Sequence, residues 1–572
     1  MRNRLITHQW PATARVNLWL VCILCLSFSV GYTPAHSADA PKAPVKVVTR
    51  PFRAAATCTG AFVAHPLDHI TTVEGQVVQL FDSNGSGLAI NDLNNDGNLD
   101  IVMGNLAGTN TIFWNEGNLR FHKESLSVGN TRAVNIVDVD GDGWLDLVFT
   151  HLLTAPTWWR NQIPYHRNTN NKQAFTQKPL LGVDKIANTM TWGDLDHDGD
   201  LDLVTASYDL ALERALGDKF RFGTGAGVHY YDQAGDRFTR HFLDRHAQTL
   251  ALMLFDVNQD GWQDILVGND FDAPDQVWLH TPLDVNPDGW QASQVFSPTT
   301  QNTMSFDIGD IANTGHPALF AADMMPYQMD AATMAAWKPV MDRMPHVMKA
   351  GDPQMMENVL QTPGADHHFT NQAIKAGVAA TGWSWSAKFG DLDNDGFLDL
   401  YIVNGMQARD LFDQLPNNEL VEENQAFHNE GGQTFAPMPT WKLNATEGGR
   451  GMSMADLDND GDLDVVVNNL MRPAKFFENR LCGGSALEVD LLWPHSKNTR
   501  ALGAQLILHT NQGDFLRDVR AESGYLSGDP ARSHFGFPKA TQLLSLEIHW
   551  PDGALSQIDK PKTGILQITR SK

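Results

Sequence analysis

The stretch DVDGDGWLDLVF, Asp138 to Phe149, sets four carboxylates within nine residues and runs straight into an apolar segment. Two like charges about 4 Å apart repel by roughly 1 kcal/mol even at the dielectric of water, and by more beside a buried strand. The crowding calls for a bound cation. The pattern recurs as NDLNNDGNLDIV from Asn91, GDLDHDGDLDLV from Gly193, FDVNQDGWQDIL from Phe255, GDLDNDGFLDLY from Gly390 and ADLDNDGDLDVV from Ala455, with a degenerate copy, GDIANTGHPALF, from Gly309. Such repetition is the mark of an array architecture.

Counted from the first Asp, the six intact copies carry Asp at position one, Asp or Asn at three, Asp at five, Gly at six and Asp at nine. Hard oxygen donors at alternate positions, with a glycine for the sharp turn, match what Ca²⁺ requires. The expected ligands are Asp92, Asn94, Asp96, Asn98 and Asp100; Asp138, Asp140, Asp142, Trp144 and Asp146; Asp194, Asp196, Asp198, Asp200 and Asp202. The later copies add Asp256, Asn258, Asp260, Trp262 and Asp264; Asp391, Asp393, Asp395, Phe397 and Asp399; Asp456, Asp458, Asp460, Asp462 and Asp464. Variety at the seventh position, where Trp and Phe occur, implies that its main-chain carbonyl is the donor. An EF-hand is excluded, because position twelve holds Met103, Phe149, Thr205, Val267, Ile402 or Val467 and no bidentate acid. The loops contain 24 of the 67 acidic residues, and six Ca²⁺ would supply +12 against them. Magnesium suits such a flexible oxygen-rich loop less well. In the degenerate copy Ala312, Thr314 and Ala318 replace ligands, so that site is expected to be empty.

Each loop lies between two short strands. A third strand often ends in Asn (TIFWN, TWWRN, AFHN, KFFEN) and a fourth begins with Phe121, Phe175, Phe238 or Phe435. Four strands in each of seven units predict an all-β fold, a seven-bladed β-propeller. The last unit lacks its fourth strand, and FVAHPL (Phe62 to Leu67), which resembles FTRHFL in the third unit, can supply it. Cys58 and Cys482 then become neighbours and are expected to form a disulfide that clasps the ring.

The chain resembles the FG-GAP/VCBS repeat proteins, whose propellers carry calcium loops in integrin α-subunit heads, and within them the cartilage acidic protein family. The resemblance extends to a C-terminal ASPIC/UnbV domain, carried by RALGAQLIL, RAESGYLSGDP, HFGF and IHWPDG. It implies an integrin α-head-like propeller followed by a small β domain, with export and calcium binding. Alternation in SLEIHW and QLILHT independently points to a small β domain. The domain expectation is a signal peptide at 1–37, a linker at 38–57, the propeller at 58–482 and the ASPIC/UnbV domain at 483–572.

A basic start, the apolar run Val16 to Val30 and a small-x-small site at Ala35-His36-Ser37 read as a secretory signal. The mature chain is therefore expected in a secreted or periplasmic location, with no stable membrane span. A net charge of -25 argues against nucleic acid as a partner. The strand-two to strand-three connections at 207–227, 322–357 and 405–425 are long and emerge opposite the calcium loops. A glycan or protein ligand is expected on that face, with the chain as a binding or adhesion module. The alternative is an extracytoplasmic enzyme, a polysaccharide lyase or tailoring enzyme; no catalytic residues are assigned. The insertion at 322–357 is rich in Met, among them Met334, Met341, Met344 and Met348. Their spacing with Trp337 reads as helical packing interrupted by Pro339 and Pro345; with His346 they offer a weaker case for Cu(I).

Overall fold

The computed structural model describes residues 41–571 apart from 127–128, 163–174, 222–225, 272, 282–285, 287–288, 344–352 and 365–367. The signal at 1–37, Met344, Pro345, His346 and Met348 lie outside the described residues.

The protein is all-β and propeller-like. The repeat copies, the degenerate one included, head antiparallel sheets: four-stranded in the third, fourth, fifth and seventh units, five-stranded in the sixth, and joined into one ten-stranded sheet in the first and second. In the third unit the order is Thr189–Gly193, Asp202–Ala206, Val228–Ala234 and Arg237–Asp244, consecutive in space as in sequence. The leading strands, such as Thr249–Phe255 with the sequence TLALMLF, are buried along their whole length. They neighbour one another in chain order, and the last, Gly449–Ala455, lies beside the first, Leu88–Asn91. Apolar residues of facing sheets fill the space between them. Met253, Leu266 and Val277, for instance, pack against Phe306, Leu319 and Val359 of the next unit.

The final repeat sheet is completed from the N-terminal side. Val63–Ile70 pairs antiparallel with Pro473–Glu478, matching Val63 to Glu478 and His65 to Phe476. Cys58 and Cys482 are joined across a sequence separation of 424, with Cα atoms 5.7 Å apart. Such a covalent closure stabilises by about 2–4 kcal/mol, chiefly by restricting the unfolded chain.

The segment expected as a linker contains a strand, Val45–Arg50, paired antiparallel with Gly564–Arg570 at the other end of the chain. It is an edge strand, mostly exposed, so its sequence VKVVTR carries no strong apolar alternation. After Cys482 the chain forms two further four-stranded sheets. One contains Ser485–Leu492, Ser533–Phe537 and Gly564–Arg570 together with Val45–Arg50, and the other comprises Gln505–Thr510, Gly513–Asp518, Leu543–His549 and Leu555–Asp559.

From this C-terminal unit the segment RAESGYLSGDP enters the middle of the leading strands. Ser527–Gly528 bridges two of them in parallel, Gly528 opposite Ala89 and Ser527 opposite Val134. Tyr525 is wholly buried, donates its hydroxyl to the Asn84 carbonyl at 2.9 Å and meets Trp385 edge-on. The approach is close enough that a Cβ on Gly87 would stand 1.6 Å from the Leu526 carbonyl oxygen, so only glycine fits there. Lys388 reaches the Ser523 hydroxyl at 2.7 Å and the Asp529 carboxylate, and Arg520 pairs with Asp307 at 3.0 Å. The segment is a plug held by buried, mutually satisfied charges.

Candidate metal centres

The intact loops share a set of main-chain bonds, except that in the third the Asp198 amide goes to Asp196 and only the Gly199 amide to Asp194. The position-one carboxylate caps the turn: Asp138 accepts the Asp142 and Gly143 amides at 3.1 and 2.8 Å, and Asp456 accepts those of Asp460 and Gly461 at 3.0 and 2.7 Å. The position-five carboxylate accepts the amide of position seven, as Asp142 does from Trp144 at 2.9 Å and Asp395 from Phe397 at 2.8 Å. Position nine is anchored on both oxygens. Asp146 accepts the Val139 amide at 3.1 Å and the Asn161 amide at 2.7 Å, and Asp464 does likewise with Leu457 and Asn479. The Asn ending the third strand thus fixes the ligand that begins the second.

The structure brings carboxylates into metal-binding distance in four loops. Asp138, Asp140 and Asp146 form one group; Asp194, Asp196 and Asp198 a second; Asp391, Asp393 and Asp399 a third; Asp456, Asp458 and Asp464 a fourth. Each group offers oxygens lying within 4.8 Å of one another. In the first and fourth loops, among the described residues, no such acidic triad forms. There Asn94 and Asn258 stand at position three and donate to Asp96 and Asp260 at 3.3 and 3.0 Å.

Burial without a cation drives these carboxylates toward the protonated form, and neighbouring acids reinforce the effect. Asp92, Asp138 and Asp256 are pushed up to about 6, Asp194 to about 7, and Asp146 and Asp264 to about 8. Burial also raises Asp100, Asp202, Asp399 and Asp464 well above the ordinary carboxylate range. Asp140 Oδ1, Asp194 Oδ2 and Asp200 Oδ1 are buried with no hydrogen-bond partner. Buried oxygens normally have one. An all-oxygen donor set with orphaned carboxylate oxygens fits a hard divalent ion such as Ca²⁺.

Polar side chains at position seven turn to neighbours. Asp200 meets Lys497 Nζ at 2.8 Å, Asp462 accepts from Asn394 at 2.7 Å, and Asn98 accepts from Arg53 at 2.7 Å. Trp262 is sandwiched between His197 and His280, with ring centroids 3.8 and 4.3 Å away. In the degenerate loop Asp310 still accepts the Thr314 and Gly315 amides at 2.9 and 2.7 Å, so the turn survives the loss of ligands.

Three groups of residues escaped the sequence reading. Position four holds Asn95, His197, Gln259, Asn313, Asn394 or Asn459, all in left-handed conformation, or Gly141. Most of these side chains reach the next loop: Asn95 to the Gly143 carbonyl at 3.4 Å, Asn313 to that of Gly396 at 2.8 Å, Asn394 to that of Gly461 at 3.2 Å, and Asn459 to the Asn98 side chain at 3.2 Å. The recurrence of Asn and Gly was the available signal, since these residues tolerate that conformation. A second group precedes the third-strand Asn; Arg160 there contacts Asp140 and pairs with Asp142 at 2.9 Å. The third comes from the C-terminal unit: Thr499 donates to Asp138 Oδ2 at 2.6 Å, Ser496 to the Gly199 carbonyl at 2.6 Å and Arg532 to that of Gly97 at 3.2 Å, while His534 lies 3.0 Å from that of Gly461. The metal face is covered by that unit.

On the opposite face the insertions carry helices at Asp209–Leu216, Ala331–Arg343 and Arg409–Phe412. Pro339 lies within the second helix, which continues through it rather than stopping as expected; Trp337 and Val340 are buried against the fold. Trp337 donates to Glu422 Oε1 at 3.1 Å and the Trp383 amide to Oε2 at 2.6 Å, with burial pushing Glu422 up to about 7. Arg214 pairs with Asp410 at 2.9 Å, and Arg343 donates to the Asp410 carbonyl at 2.8 Å. Insertions from the third, fifth and sixth units therefore meet.

The FG-GAP-like repeat family matches residues 92–149 and 411–467, and the ASPIC and UnbV family matches residues 494–571. The chain thus carries two stretches that match FG-GAP-like repeats and a C-terminal stretch that matches the ASPIC and UnbV family. The chain is similar to cartilage acidic protein 1 of Xenopus tropicalis, 33% identical over 114 residues that make up 19% of this chain and 17% of that protein. It is similar in the same way to cartilage acidic protein 1 of Homo sapiens, 32% identical over 113 residues, 19% of this chain and 16% of that one. The matched stretch is thus under a fifth of those relatives' length. Among solved structures, BBS1N in complex with ARL6DN aligns with a TM-score of 0.39 at 9% identity, covering 74% of this chain and 98% of that one. Rhamnogalacturonan lyase PL11 of Bacillus licheniformis aligns with a TM-score of 0.35 at 11% identity, covering 73% and 76%. Among the described residues no helix is long and apolar enough to cross a membrane.

Proposed function

We propose that the chain is an exported, calcium-loaded propeller of seven blades, residues 58–482, whose metal face is closed by the ASPIC/UnbV unit, residues 483–572. It acts as a binding module for a glycan or protein ligand on the insertion face. The observation that carries this reading is the meeting of three insertions on the one end of the fold that the C-terminal unit leaves uncovered. A rigid sheet scaffold that presents converging loops is a common way to build a recognition surface. A divalent ion in each of the six intact loops, calcium for the all-oxygen ones, serves the scaffold: it neutralises the crowded carboxylates and fixes the turns against which the C-terminal unit docks.

Arg214 and Arg343, both about half exposed, supply the charged part of that surface. The test is to pass a panel of polysaccharides and extracellular-matrix proteins over the immobilised, calcium-loaded chain, measuring retention and, by mass spectrometry, any new chain ends. Retention of one ligand class, lost in R214E/R343E and without cleavage, is the expected result. New chain ends would replace the binding reading with an enzymatic one, and retention unchanged by the double substitution would move the surface elsewhere.

A further inference from the structure

The residue before the one whose amide bonds the ninth-position Asp (Asn161, Gln233, Asn429 or Asn479) changes in chemistry from unit to unit. It is Arg160 in the second unit, Asp232 in the third, His428 in the sixth and Glu478 in the seventh. Arg160 places a guanidinium on two loop carboxylates, while Glu478 is held by Arg480 at 2.7 Å and His65 at 2.8 Å. His428 brings a nitrogen donor to the loop.

Its placement is well fixed. The neighbouring Asn429 gives its amide to Asp399 Oδ1 at 2.9 Å and its side chain to the Ile311 and Leu398 carbonyls at 2.8 and 2.9 Å. His428 Nε2 then lies 3.3 Å from Asp393 Oδ2 and 3.3 Å from Asp395 Oδ2. An ion held tetrahedrally at about 2.0–2.1 Å separates its ligands by about 3.3 Å, the spacing expected for Zn²⁺ with nitrogen and carboxylate donors. The other ring nitrogen, Nδ1, lies 3.8 Å from Glu430 Oε1, on the side where a metal-bound imidazole is commonly oriented by a carboxylate. Trp441 stands edge-on to the ring at 6.0 Å and limits its swing. The imidazole is 22% exposed.

We propose that the sixth-repeat loop is a mixed nitrogen and oxygen site, in which Asp393, Asp395 and His428 hold a zinc-like divalent transition ion while the other intact loops hold calcium. Imidazole suits Zn²⁺ and Co²⁺, whereas Ca²⁺ takes oxygen ligands. This rests on the reading that the loops bind metal, and the experiment separates the two claims.

Full-length protein stripped with chelator is loaded with excess Ca²⁺, titrated with Zn²⁺ and separately with Co²⁺, dialysed, and assayed for metal content. The wild type is expected to retain one transition ion per chain beside its calcium, with cobalt giving a visible absorption typical of tetrahedral nitrogen and oxygen ligation. H428N should lose that ion and keep the calcium of the other loops. E430Q alters a side chain that is 57% exposed and makes no hydrogen bond to the imidazole, so Zn²⁺ retention should survive it, which separates the His428 donor from the surrounding charge. Equal Zn²⁺ retention by wild type and H428N, or Zn²⁺ displaced from the wild type by equimolar Ca²⁺, would overturn the mixed site while leaving the calcium loops standing. Uptake of neither Ca²⁺ nor Zn²⁺ would sink both.

Discussion

Asp196→Ala separates a metal ligand from a structural carboxylate. Asp196 is exposed in the third loop, so its removal leaves no cavity in the core. It is grouped with Asp194 and Asp198, and its carboxyl is pushed up by partial desolvation and by the charges of Asp198 and Asp232. In chelator the substitution removes repulsion of about 1 kcal/mol per close pair at the dielectric of water, so stability should hold or rise slightly. In calcium it removes a ligand. A site filled at a hundred times its dissociation constant contributes about 2.7 kcal/mol to folding, and most of that should disappear. Urea unfolding followed by tryptophan fluorescence, run in excess calcium and in excess chelator, gives the two values. A loss of about 2–3 kcal/mol in calcium with no loss in chelator is expected. Equal destabilisation in both conditions would show Asp196 to be an ordinary structural acid and refute the reasoning.

Metal-free protein should become less stable as pH rises. Asp92, Asp138 and Asp256 at about 6, and Asp146 and Asp264 at about 8, hold protons in the fold between pH 4 and those values that the unfolded chain, with carboxylates at 3.8, has released. Stability then falls by about 1.4 kcal/mol per pH unit for each proton of difference, and calcium should flatten the slope; melting temperatures from about pH 5 to 8 with and without chelator check this. Replacing Cys58 and Cys482 by Ser should cost about 2–5 kcal/mol in denaturant unfolding and expose Val63–Ile70 to proteolysis first. Tyr525→Ala should cost about 3–5 kcal/mol through the space left in the plug, while Tyr525→Phe, which loses only the bond to the Asn84 carbonyl, should cost about 1 kcal/mol.

The repeat was legible because each loop carries its own chemistry in a fixed register, and the clasp followed from a strand missing in the last unit. What stayed hidden depends on distant pairing. Val45–Arg50 has one partner strand and an exposed edge, so no burial pattern marks it; its partner lies about 520 residues further along. RAESGYLSGDP read as a family signature, yet nothing in its composition shows that Tyr525 fills the centre of the leading strands. In the acidic loops the alternating Asp and Asn register was plain. His428 and Arg160 were not, because a single polar residue in a half-buried strand is indistinguishable from a surface residue until the loop it faces is known. Thr499 and Lys497 belong to another unit altogether, and only the fold sets them on Asp138 and Asp200.

The most direct test is to count divalent ions bound to the full-length chain by native mass spectrometry while calcium is titrated and then removed by chelator, following the melting temperature in parallel. The account predicts six ions per chain when zinc is supplied with the calcium, five calcium ions and one zinc-like ion at the sixth repeat, with the fifth repeat empty, and a large fall in melting temperature on their removal. A chain that binds no ions, or melts at the same temperature with and without them, would contradict it.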